Sequence, residues 1–182
     1  MIYSNNKLLI DKITVDKIVR QFGTPTYCYS YNQLKKNILK FKKNFNKINP
    51  LICFAVKANN NTRILKEISK LGLGADVVSK GELMAALKSK IDPKKIVFSG
   101  VGKTYQEIEF ATKKKVLLIN AESQSEIETI LKIARKVNRV IDIGIRLNPN
   151  VDAKTIKEIT TGKTINKFGL TEKEVIGLIN HY

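Results

Sequence analysis

An α/β fold built on a parallel sheet is predicted by three features of this sequence. Five short apolar, β-branched runs recur along the chain, helical patterns separate them, and three of those patterns open with Ser/Thr-x-x-Glu. Strand followed by capped helix, repeated, is the signal of right-handed βαβ units and a parallel sheet.

Residues 1–30 stand outside that rhythm. They contain a helix-like stretch from about Val15 to Phe22, and then Gly23-Thr24-Pro25-Thr26-Tyr27-Cys28-Tyr29-Ser30, which alternates like an edge strand of a separate β element. The repeating part is therefore assigned to residues 31–182. Leu34, Ile38, Phe41 and Phe45 share one helical face, ahead of a first strand over 51–56. Ile64, Leu65, Ile68 and Leu71 share the next face, and Gly72 closes that helix before a second strand over 75–78. Ser79-Lys80-Gly81-Glu82 is a capping box introducing Leu83, Ala86 and Leu87, and a third strand follows over 95–99. Thr104-Tyr105-Gln106-Glu107 introduces Ile108 and Ala111 ahead of a fourth strand over 116–120. Ser123-Gln124-Ser125-Glu126 introduces Ile127, Ile130, Leu131 and Ala134 ahead of a fifth over 140–147. Thr171-Glu172-Lys173-Glu174 opens a further helix with Val175, Leu178 and Ile179 on one face. The chain stops at Tyr182, where an α/β unit expects another strand, so the fold is read as unfinished.

Composition narrows the function classes. A chain of 182 residues, 43% hydrophobic and 27% charged, is long enough for one sizeable soluble domain. No apolar stretch approaches a membrane span, and the first residues lack a secretion signal. Cys28 and Cys53 show no framework spacing, which suits a reducing cytoplasm, and the single His181 builds no metal site. The formal charge of +17 invites a nucleic-acid reading, yet only Arg20, Arg63, Arg135, Arg139 and Arg146 among the 33 basic residues are arginine. Aromatics do not interleave with the lysines as a stacking platform requires. The basic residues are read as solvated helix faces, with no nucleic acid and no membrane among the partners.

Chemistry is signalled by charge inside apolar strands. In Leu51-Ile52-Cys53-Phe54-Ala55-Val56-Lys57-Ala58-Asn59 a lysine follows a run that reads as buried on both faces. Burying an ammonium there costs roughly several kcal/mol unless it is paired or chemically used. A neutral lysine amine is the form that condenses with an aldehyde. The bland alternative is a Lys57 beyond the strand end, snorkelling to water. Asp76, in Gly74-Ala75-Asp76-Val77-Val78, and Arg146, in Ile143-Gly144-Ile145-Arg146, repeat the pattern. Asp76 alone reads equally as a turn residue and Arg146 as a surface strand end. Together the three are expected to share the C-terminal mouth of a parallel α/β barrel and to offset one another's charge.

These residues sit in stretches that resemble a known family. Phe54-Ala55-Val56-Lys57-Ala58-Asn59, the residues 74–83, Ser99-Gly100-Val101-Gly102-Lys103-Thr104, Asn120-Ala121-Glu122-Ser123 and Arg146-Leu147-Asn148-Pro149-Asn150-Val151-Asp152 are similar to the diaminopimelate decarboxylases. Thr161-Gly162-Lys163 and Asn166-Lys167-Phe168-Gly169-Leu170 extend the likeness, which runs from Gly23 onward in order. The resemblance implies a pyridoxal 5'-phosphate enzyme with a TIM (β/α)8 barrel and a β domain, of which this chain holds five of eight strands and a first β-domain segment. It implies that Lys57 bonds the cofactor aldehyde and that Asp76 lies near that lysine and the cofactor. By the same resemblance Arg146 belongs to the cofactor pocket, and Ala55 leaves room beneath the ring. Ser79 and Glu82 match polar family positions but read equally as a helix cap. The implied reaction takes CO2 from the D-centre of meso-diaminopimelate to give L-lysine in a cytoplasmic homodimer.

Two departures accompany the resemblance. Ile156 stands where the family usually carries histidine. The later stacking histidine, glycine-rich phosphate loop, Glu-Pro-Gly-Arg strand and cysteine region are absent from these residues. The chain is accordingly read as an N-terminal portion, inactive and prone to associate by itself. A cofactor carrier of the same fold and a catalytically dead paralogue are the alternatives.

Overall fold

The structure is a computed structural model and describes residues 1–45, 47–151 and 168–181. The stretches 152–167, which include Ile156, Thr161-Gly162-Lys163 and Asn166-Lys167, lie outside the described residues. The chain falls into two compact units, Met1–Pro50 and Leu51–Tyr182.

The first unit opens with an antiparallel meander, β1 (Ile2–Ser4), β2 (Lys7–Ile10) and β3 (Ile13–Thr14). Ser4 pairs with Lys7 and Ile10 with Ile13, so each hairpin is closed by two residues. Asn5 and Asn6 (φ 49° and 57°) and Asp11 and Lys12 (φ 48° and 69°) occupy those turns, the left-handed conformation that primed hairpin turns need. The edge strand expected over 23–30 does not form. Pro25 has no N–H for a ladder, and Tyr27 and Tyr29 are both exposed, so the alternation has no buried face to satisfy. Helix α1 (Val15–Phe22) starts where Thr14 accepts the Lys17 N–H. Helix α2 (Tyr31–Asn44) is capped by Ser30, whose hydroxyl also donates to Asp11 at 2.6 Å. Of its expected apolar face Ile38 is buried, while the Phe41 and Phe45 rings lie 4.8 Å apart and half exposed.

The second unit is a five-stranded parallel sheet in chain order, β4 (Cys53–Ala55), β5 (Gly74–Val77), β6 (Ile96–Phe98), β7 (Leu118–Ala121) and β8 (Ile143–Ile145). Helices α3 (Thr62–Lys70), α4 (Lys80–Lys88), α5 (Tyr105–Lys114) and α6 (Gln124–Val137) connect consecutive strands or follow them, and α7 (Glu172–His181) comes last. This is the expected alternation, with every strand but β5 shorter than its apolar run and β5 shifted one residue toward the N-terminus. The parallel pairing reaches one step further, since the Asn148 N–H donates to Leu170 and the Leu170 N–H to Arg146.

The two faces of the sheet differ. Ala75, Val77, Ile96, Phe98, Ile119 and Ala121 are fully buried on one face, together with Leu65, Ile68, Leu83, Ala86, Ile108, Ile130 and Ile133 from the helices. On the other face Ala55, Asp76, Val97, Leu118, Asn120 and Gly144 are only half-buried. Strands expected to be buried on both faces are thus buried on one, because five strands form an open sheet whose inner face has no opposite wall.

The predicted caps carry the helices with one change. Thr104 and Glu107 form a reciprocal capping box. Ser79 and Ser123 also cap their helices, but Glu82 and Glu126 reach one residue further back, to the N–H of Val78 (2.9 Å) and Glu122 (2.7 Å). Gly72, at φ 78°, ends α3 as expected, and the Leu73 N–H donates to the Ile68 carbonyl.

Candidate active site at the C-terminal edge of the sheet

Lys57 lies beyond β4, in a single 3-10 turn over Val56–Ala58, and is exposed. The expectation of a lysine buried in a strand is corrected here. The strand ends at Ala55, and Val56, not Lys57, turns into the core. That position is still the end of the strand where parallel α/β folds collect functional groups. Asp76 sits within β5, one strand over, in register with Ala55. It is therefore a strand residue facing the open side, not a turn residue.

Asp76 is held by its neighbours on the same face. The Ser99 hydroxyl donates to Asp76 Oδ1 at 2.6 Å, and Asn120 Nδ2 donates to Ser99 Oγ at 3.0 Å. Ser99 follows β6 and Asn120 belongs to β7, so the three polar side chains step across consecutive strands. Gly144 of β8 continues the row, and a Cβ there would overlap Asn120 Oδ1. Burial, with the Asp76 charge added, pushes the nearby Cys53 thiol above its usual range.

Arg146 follows β8 directly. Its Nη1 donates to both oxygens of Glu122, at 2.9 and 3.2 Å, and its guanidinium lies 5.4 Å from the Phe168 ring centre. Glu122 is nearly buried while Arg146 stays partly open to solvent. Gly169, at φ 82°, lets the chain pass against Arg146, where a Cβ would meet the Arg146 carbonyl.

Lys57, Asp76 and Arg146 do not offset one another as expected: among the described residues no hydrogen bond or ion pair joins them. Asp76 is satisfied by Ser99 and Arg146 by Glu122, each a partner at the end of the neighbouring strand. Ser79 and Glu82 are both engaged in capping α4. The sequence reading also missed Lys103, whose side chain is 1% exposed. Its ammonium meets Glu126 at 2.8 Å and the Asn120 carbonyl at 2.8 Å. The signal available for it was a lysine five residues after the strand, behind Gly100-Val101-Gly102 in a stretch of the family resemblance, and by itself it reads as an ordinary loop cation. Among the described residues no group of three or more His, Cys, Asp or Glu side chains could hold a metal, and no helix is long and apolar enough to cross a membrane.

Residues 31–180 match the family described as pyridoxal-dependent decarboxylase, pyridoxal binding domain. The chain belongs to this family. Pyridoxal-dependent decarboxylases thus supply the comparison for the whole parallel sheet. The diaminopimelate decarboxylase of Helicobacter pylori strain J99 is 47% identical over 161 residues, covering 88% of this chain and 40% of that protein. The Aquifex aeolicus diaminopimelate decarboxylase is 41% identical over 172 residues, covering 94% of this chain and 40% of its own length. A crystal structure of the Helicobacter pylori diaminopimelate decarboxylase complexed with L-lysine superposes with a TM-score of 0.87 at 44% identity, covering 91% of this chain and 42% of that one. The chain therefore spans about 40% of the length of the curated relatives it matches, and it carries the family's pyridoxal-binding α/β sheet.

The residues at the sheet edge suit a pyridoxal cofactor. Among the described residues no carboxylate pairs with the exposed Lys57, so its side chain is not held away from a pyridoxal aldehyde. Ala55 and Gly144 keep the inner face low on either side of the Asp76–Ser99–Asn120 row, as a flat ring requires.

Proposed function

We propose that this chain is the cofactor-holding N-terminal part of a diaminopimelate decarboxylase, which converts meso-2,6-diaminopimelate to L-lysine and CO2 as a step of lysine formation. Lys57 is its catalytic residue, and Lys57, Asp76 and Arg146 bind pyridoxal 5'-phosphate. The observation that carries this reading is an amine, a carboxylate and a guanidinium at the C-terminal edge of one parallel sheet, in a chain 47% identical to such an enzyme. When bound, the cofactor supplies the electron sink that takes up the pair left by departing CO2.

The chain's own residues bind and orient. Lys57 offers its amine from a turn braced by the Asn59 N–H to Val56 carbonyl bond, so the amine is presented from a fixed backbone. Asp76, fixed through Oδ1, sets a negative charge on the open face beside β4. Arg146, steadied by Glu122 and Phe168, adds a positive charge at the far side of the same edge. In this reading residues 31–182 are barrel, and the meander within 1–30 belongs to the β domain. The full-length protein works as a cytoplasmic homodimer, and residues 1–182 alone do not turn over substrate.

The test is borohydride reduction of the full-length protein after incubation with pyridoxal phosphate, followed by peptide mass mapping. A reduced adduct on Lys57, lost in Lys57→Ala, is expected, together with lysine release from meso-diaminopimelate. An adduct confined to other lysines would overturn the assignment. An adduct on Lys57 without lysine formation would mark a cofactor carrier instead.

A further inference from the structure

We propose that Ser99 and Asn120 are positioning residues for Asp76, forming a hydrogen-bond relay across β5, β6 and β7 that Lys103 anchors; this rests on the assignment of Lys57 and Asp76 to the cofactor. The direction of the relay follows from proton counting. A serine hydroxyl has one proton, and the 2.6 Å contact with Asp76 Oδ1 uses it. Ser99 can then only accept at its oxygen, and Asn120 must present its NH2 group, as it does at 3.0 Å. An Asn120 turned the other way would compete for the same hydroxyl proton and leave Asp76 without it.

Two features hold Asn120 in place. Its side chain fits because residue 144 is glycine, since a Cβ there would overlap Asn120 Oδ1. Its backbone carbonyl accepts the Lys103 ammonium at 2.8 Å, and that ammonium is pinned by Glu126 and by the Gly100 carbonyl. Lys103 is almost wholly enclosed, so the anchor is not shared with water. The Gly100 contact also draws in the residue next to Ser99, so one ammonium fixes the chain at both donors of the relay. The outcome is a carboxylate locked through Oδ1, with Oδ2 left without a protein partner among the described residues. Charge-assisted bonds of this length are short and directional, which restricts Asp76 to one orientation.

The experiment is a pH titration of the visible absorbance of pyridoxal phosphate bound in the full-length protein, paired with borohydride mapping on Lys57. A negative charge held beside the bound cofactor favours its protonated form. Ser99→Ala is expected to move the absorbance midpoint to lower pH by about one unit, the worth of one charge-assisted hydrogen bond. Ser99→Thr, which keeps the hydroxyl, is expected to restore the wild-type midpoint. Asn120→Ala removes the donor without touching Ser99 and is expected to shift the midpoint in the same direction, so the relay stays testable if Ser99→Ala does not fold. Wild-type labelling at Lys57 with unshifted midpoints in the folded variants would overturn the relay alone. Absence of labelling at Lys57 in the wild type would overturn the cofactor assignment and the relay with it.

Discussion

Lys103 and Glu126 form a nearly enclosed ion pair, 2.8 Å between Nζ and Oε1, that ties the loop after β6 to the first turn of α6. With 1% and 10% of the two side chains exposed, neither charge has water to fall back on. Lys103→Met is expected to destabilise the protein by about 3–5 kcal/mol, because it strands the Glu126 carboxylate in a buried place. Denaturant unfolding reads the loss. Combining Lys103→Met with Glu126→Leu is expected to recover only part of it, because Glu126 also accepts the Glu122 N–H, and an additive double variant would mean that the pair is not coupled.

Arg146 gives a weaker effect of the same kind. Its removal leaves Glu122 nearly buried without its partner, but 41% of the Arg146 side chain is exposed, so screening reduces the cost. Arg146→Ala is expected to lower stability by about 1 kcal/mol and to weaken pyridoxal phosphate binding. Arg146→Lys is expected to recover the charge but not the planar contact with Phe168. Thermal unfolding and a cofactor titration separate the two losses.

Glu107 makes acid sensitivity local. The Lys80 N–H, then the Thr104 N–H, hold its carboxyl below the ordinary value of 4.5. A depressed folded-state pKa contributes stability that is present above the unfolded value and lost as pH falls through the folded one. The stability of Glu107→Gln is therefore expected to fall less steeply than wild type below about pH 4.5. The same slope in both proteins would rule the Glu107 contribution out, and unfolding midpoints measured from pH 6 downward in urea decide it, at roughly one-unit steps.

Gly144 tests the crowding on the inner face. Gly144→Ala puts a Cβ into Asn120 Oδ1, so either Asn120 or β8 must move. A cost of about 1–3 kcal/mol is expected, as for overpacking elsewhere. Pairing it with Asn120→Ala, which removes the obstructing atom, is expected to relieve most of the cost in the same thermal-unfolding assay.

Much of this architecture was legible because its signals are local. The capping residues Ser79, Thr104 and Ser123, the helix-ending Gly72 and the apolar runs before Lys57 and Arg146 all act within four or five positions of themselves. The meander over β1, β2 and β3 was missed because Asn5-Asn6 and Asp11-Lys12 lack the glycine that usually announces a primed turn. The strand expected over 23–30 failed because alternation needs a partner edge, which sequence alone does not supply. At the candidate site, charges in apolar strands flagged Lys57, Asp76 and Arg146. Ser99, Asn120 and Glu122 lay only in stretches of family resemblance and were given no role, since a polar residue at a strand end looks like the start of any turn. Their meaning lies in partners 21 to 24 positions away, a spacing set by the length of each intervening helix.

The agreement between strand order and chain order has a consequence for synthesis. Each of β5, β6, β7 and β8 pairs with the strand made just before it. A nascent chain leaving the ribosome, at about 5–20 residues per second, finds a finished edge waiting for every strand that emerges. The sheet can thus be laid down like courses of brick, with each new helix covering the course below before the next arrives, and the edge of β4 stays open throughout as the place where a stray strand could attach.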